Sequence, residues 1–67
     1  MNKYIFYSEA TGVSDSFNTL EECETTAEYV SMELNCECSI YSYDASKFPN
    51  EDFDIDDCTY IGYFEKK

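Results

Sequence analysis

Leu20, Cys23, Ala27, Val30 and Leu34 recur at intervals of three, four, three and four residues. That spacing sets all five on one narrow stripe of an α-helix. Both ends of the helix carry signals too. Thr19-Leu20-Glu21-Glu22 fits a capping box, with Thr19 accepting a free backbone N–H and Glu22 reaching back from the third helical position. Asn35 suits a left-handed stop. One helix over Leu20–Leu34 is predicted, and its stripe needs a sheet face to cover it.

The flanking segments supply that sheet. Lys3–Ser8 is aromatic and β-branched and reads as a strand. Ala10-Thr11-Gly12 is a turn signal, after which Val13–Phe17 can pair back as a short second strand. Beyond the helix, Cys36–Asp44 alternates: Cys36, Cys38 and Ile40 take one face, Glu37, Tyr41 and Tyr43 the other. Ala45–Asp57 reads as an Asp-rich loop holding the only proline, and Cys58–Glu65 as a last strand with Cys58, Tyr60, Gly62 and Phe64 on one side. The expected architecture is α+β: one helix packed on a small three- to four-stranded antiparallel sheet, in the order β(β)αββ. The 67 residues form a single domain, 1–67. With no second helix, the far sheet face is left to tyrosines, Tyr41 and Tyr43 among them, with Tyr7 and Tyr63 beside them.

Charge bounds the partners. Nine carboxylates and no basic residue lie between Tyr4 and Ser46, and six more carboxylates lie between Phe48 and Glu65. The four lysines are Lys3, Lys47, Lys66 and Lys67, there is no arginine, and the net charge is −11. A field of one sign excludes direct binding to nucleic acid or to an anionic membrane, and suits the chain to a basic surface. Hydrophobic residues at 43% and aromatics at 18% set it apart from disordered acidic chains. A domain this small buries only roughly 60% of its unfolded surface, so its stability is marginal. No apolar run approaches the ~18 residues of a membrane span. Residues 1–8 lack the features of a signal peptide, so a cytoplasmic protein is expected.

Catalytic chemistry finds few materials. Without histidine there is no Cys-His or Ser-His pair. Gly12 and Gly62 stand alone, so there is no glycine-rich phosphate loop. Paired carboxylates are plentiful, but so short a chain offers little room for a substrate cleft between them. The expectation is a protein that is not an enzyme and takes no cofactor. Cys23, Cys36, Cys38 and Cys58 follow the pattern C-x12-C-x-C-x19-C, which departs from zinc knuckles. They read as small buried hydrophobes, with a disulfide or a zinc site as alternatives. Asp52-Phe53-Asp54-Ile55-Asp56-Asp57 begins like a calcium loop but has Asp57 where glycine is needed and Tyr63 where a bidentate glutamate is needed.

Glu21, Glu24 and Glu28 form one row beside the core stripe, with no lysine on the helix to neutralise them. Tyr29 lies opposite the stripe. A surface that merely keeps a small protein soluble is the plain explanation. The sharper one joins this row to Asp52, Asp54, Asp56 and Asp57 as a set of carboxylates approximating a phosphate row, with Tyr29, Tyr41 and Tyr43 as interface anchors.

Phe17-Asn18-Thr19-Leu20-Glu21-Glu22-Cys23 and the helix that follows resemble small phage-encoded open reading frames in which a strand leads into a capped acidic helix and then a strand pair. In size, charge and aromatic content the whole chain resembles the small acidic anti-defence proteins of phages, which include anti-CRISPR proteins and DNA-mimic inhibitors of restriction or repair enzymes. The resemblance implies stoichiometric inhibition in the host cytoplasm, with acidic residues contacting lysines and arginines of a basic nucleic-acid-binding protein or complex. The other expectation is an interaction or homodimerisation module that uses an exposed tyrosine-rich sheet face.

Overall fold

A computed structural model describes residues 2–50 and 52–64. The strands are β1 (Asn2–Ser8), β2 (Gly12–Val13), β3 (Cys38–Asp44) and β4 (Thr59–Phe64). The helix α1 spans Leu20–Leu34, and a single 3-10 turn covers Ile55–Asp57. The strands form one antiparallel sheet in the order β2-β1-β3-β4. The expected α+β architecture is therefore present. Glu65, the expected end of the last strand, lies outside the described residues.

The helix begins and ends where its capping residues dictate. The Glu22 backbone N–H donates to Thr19 Oγ1 at 3.2 Å. The second half of the box differs from expectation: the Thr19 hydroxyl itself donates to Glu22 Oε1 at 3.1 Å. Two acids, Glu21 and Glu22, sit in the first turn, where the helix dipole favours negative charge. Asn35 adopts φ 50 and ψ 49, and both its own N–H and that of Cys36 reach the Ser31 carbonyl. These bonds satisfy a carbonyl that the helix end would leave open.

The core lies between the helix and one sheet face. Phe6, Cys23, Ala27, Cys38 and Ile40 are buried together, with Tyr4, Phe17, Leu20, Val30, Cys36 and Phe64 packed around them. Burying a side chain such as Phe6 or Ile40 contributes about 1.5–3 kcal/mol. Cys23 and Ala27 are small, which lets the helix lie close to the strands. Leu34 departs from the expected stripe and is 51% exposed. It is the last helical residue, next to the Asn35 stop, and lies outside the core cluster. The buried polar residue near the helix end is Ser31.

Two one-residue slips shape the sheet. Val13 pairs with Tyr7, but Phe17 bridges Tyr4, so the arm after β2 carries one extra residue. The expected Val13–Phe17 strand is thus a two-residue strand plus one bridge. Between them the Ser14 hydroxyl accepts the Phe6 N–H at 2.9 Å, standing in for a ladder carbonyl. The slip brings Phe17 over Phe6, with ring centroids 6.2 Å apart, and leaves Ser16 to meet the Tyr43 hydroxyl at 2.6 Å. Gly12, at φ 75, makes the tight return that starts this arm.

The second slip lies in β4. Ile40 pairs with Gly62 but Tyr41 pairs with Tyr60, so Ile61 is the extra residue. The expected alternation, with Tyr60 on the same side as Gly62 and Phe64, fails here. Tyr60 shares a row with Tyr41 on the face away from the helix.

That far face is not wholly open. Tyr43 is only 4% exposed. Phe53 from the acidic loop stacks on it at 4.2 Å, and Phe48 packs edge-on to Phe53 at 6.1 Å. Ile5, diagonal to Tyr43 on the same face, is fully buried. The loop thus builds a second, smaller apolar cluster beneath the sheet.

All four cysteines are free. Cys23 and Cys38 are buried, as their place on the inward faces predicts, and Cys36 and Cys58 are partly buried. Burial, reinforced by Glu24, raises the Cys23 thiol from 9.0 to about 11. Burial, then Cys36, raises Cys38 to about 11.

Two outcomes follow for stability. Phe53→Ala should cost about 2 kcal/mol and open Tyr43 to solvent, measured by urea unfolding and by iodination of that ring. The raised thiols favour the protonated folded state. Their contribution is complete below about pH 9 and lost as pH climbs to about 11. Urea midpoints should fall across that window, and alkylation of Cys23 and Cys38 should remain slow at neutral pH until the chain unfolds.

Candidate partner-binding site

Glu21, Glu24 and Glu28 are all exposed on α1. A rigid helix spaces them by roughly 4.5 and 6 Å along its axis. Thr25 uses its hydroxyl on the Glu21 backbone carbonyl at 2.9 Å, so it leaves these carboxylates free of local competition. Tyr29 is 64% exposed, in line with its place opposite the stripe.

Asp52, Asp54, Asp56 and Asp57 are exposed as well. Their backbone is ordered by its own bonds. The Asp54 N–H donates to Asp57 Oδ2 at 3.0 Å, and the Asp57 N–H donates to the Asp54 carbonyl at 2.9 Å. The Asp57 carboxylate therefore has a local structural task. At the start of the loop, Asp44 is held below the usual carboxylate range, chiefly by the Ser46 backbone N–H at 2.9 Å.

The helix row lies on the helix side of the sheet, whereas the loop is anchored by Phe53 to Tyr43 on the opposite face. Asp57 sits at the end of the sheet, lining a recess with Asn2, Ser42 and Thr59. Among the anchors, Tyr43 requires correction: it is buried under Phe53 and bonded to Ser16, so it offers no contact surface. Tyr41 keeps a partly open position and meets Tyr60 edge-to-face at 5.7 Å.

The register assembles an aromatic surface that the sequence only half discloses. Val13, Tyr7, Ser39 and Tyr63 form one row across all four strands. Ile5, Tyr41 and Tyr60 form the next. Tyr60 is 54% and Tyr63 52% exposed, and Tyr7 and Val13 are exposed beside them. Tyr60 is the residue that strict alternation hides, because only the Ile61 slip turns it outward. Its hydroxyl is raised above the usual tyrosine value by partial desolvation first, then by Tyr63, Glu37 and Tyr41. Glu37 thus stands near the rim of this surface.

Among the described residues no group of three or more Cys, Asp or Glu side chains is placed to hold a metal ion. No helix among them is long and apolar enough to cross a membrane. In comparisons with known proteins, no family model matches the chain, and neither do any curated protein or solved structure.

The crowding at Tyr60 has a direct readout. Ring ¹³C shifts followed through alkaline pH should show Tyr60 ionising above the range of free tyrosine. Glu37→Gln should bring it part of the way back. A Tyr60 titration indifferent to that change would place Glu37 away from the hydroxyl.

Proposed function

We propose that this chain is a non-catalytic acidic binding protein. It occupies the basic nucleic-acid-binding surface of a host defence or nucleic-acid-processing protein, in the manner of anti-CRISPR or DNA-mimic inhibitors. One observation carries the reading: Glu21, Glu24 and Glu28 stand exposed on a capped helix that has no base, within a chain of net charge −11. Their axial spacing is of the same order as the ~3.4 Å rise per phosphate on one DNA strand. Opposite fields would speed association and make it salt-dependent. A partner that grips the helix row would also feel the loop acids as long-range attraction.

A second reading, a protein-interaction or homodimerisation module, draws support from the open rows of Tyr7, Tyr41, Tyr60 and Tyr63. It predicts that a tyrosine-to-alanine change matters more than any change of acid, and that salt matters little.

Charge reversal separates them. Glu24→Lys with Glu28→Lys should weaken binding to a basic nucleic-acid-binding partner about tenfold or more and flatten its salt dependence. Partner affinity would be measured by calorimetry across a salt series. Unchanged affinity and an unchanged salt slope would remove the helix row from the interface.

A further inference from the structure

We propose that the tyrosine-lined sheet face away from the helix is a docking surface for an arginine-bearing strip of a basic protein. This rests on the reading above that the partner is basic, and it assigns that partner's second point of contact.

The surface has a defined shape. Tyr7 and Tyr63 sit two strands apart in one row, with the small Ser39 between them. Their strands are roughly 10 Å apart, so two rings flank a shallow gap. Tyr41 and Tyr60, already packed edge-to-face, close one side of it in the adjoining row. The Phe53–Tyr43 stack covers the far end of the same face, which confines the open area to these two rows. The Tyr7, Tyr60 and Tyr63 rings are exposed and Tyr41 is partly so, and Glu37 lies close enough for its charge to act on the Tyr60 hydroxyl.

Charge selects the occupant. A second copy would bring another net −11 against this face. Nucleic acid would stack on the rings but brings phosphates into the same field. A basic protein strip meets no such repulsion. Arginine fits better than lysine, because its planar guanidinium stacks on aromatic faces and is less strongly hydrated. Glu37 at the rim would complement the same charge.

The test is an NMR titration of the whole chain with an arginine–glycine peptide and with the same peptide carrying lysine for each arginine. The expected result is ring-signal shifts at Tyr7, Tyr41, Tyr60 and Tyr63, with the arginine peptide bound about threefold or more tighter than the lysine one. Tyr60→Leu with Tyr63→Leu should erase that preference while leaving the residual, charge-driven binding. Shifts confined to Glu21, Glu24 and Glu28 would overturn the docking surface and leave the basic-partner reading standing. Failure of both peptides to bind at low salt would overturn both. Tyrosine signals that move with protein concentration alone, together with a dimer in sedimentation, would give the face to a second copy. Saturable shifts at the tyrosines with a single-stranded oligonucleotide would give it to nucleic acid. Either result overturns the proposal.

Discussion

Everything in this domain hangs on the seating of Cys23 and Ala27 against Phe6, Cys38 and Ile40. A chain so short has one helix to bury, and it can do so only if the contact is close. Small residues on the helix and larger ones on the sheet give that closeness. The same contact decides where charge goes. With the stripe turned inward, Glu21, Glu24 and Glu28 are carried outward beside it. The acidic surface is therefore a geometric consequence of the core.

The sheet's two faces are assigned by its two slips. One brings Phe17 into the core and Ser16 to the Tyr43 hydroxyl. The other turns Tyr60 out beside Tyr41. Tyr43 then recruits Phe53, which pins the acidic loop beneath the sheet. The far face is thereby divided into a covered end and an open end. The open end stays uncovered because the described residues hold no second α-helix and the loop's aromatics are already engaged.

Local signals made much of this legible from sequence. Thr19 and Asn35 mark helix ends because caps act within four residues of themselves, and the helix runs Leu20–Leu34 as they indicate. Strand alternation placed Cys38 and Ile40 inward correctly, since both lie within an unbroken ladder. Alternation failed at Tyr60 because a bulge is a relation between two strands and leaves no mark in one. It failed at Tyr43 for a different reason. Its outward placement was right, but the cover comes from Phe53, ten residues away in a loop of no regular pattern. Leu34 departs from the stripe because spacing reports rotation about the helix axis and not whether the last turn still packs on the core. Of the expected partner-facing residues, the helix acids and Tyr29 are exposed as their spacing implies. The joining of helix and loop acids into one strip was a statement about tertiary placement, which spacing does not contain.

The Ile61 bulge also bears on how such a chain can vary. Substitutions along β4 alter one side chain at a time and keep each position on its own side. Pairing the same residues without the bulge would set Ile61 opposite Tyr41 and send Tyr60 toward the core side, while Thr59 would exchange sides with it. Losing Ile61 would remove that competing register and leave Tyr60 opposite Tyr41 in plain alternation. Tolerance in this strand is therefore unequal: generous to replacement at its exposed positions, and open to the loss of a residue only at the bulge.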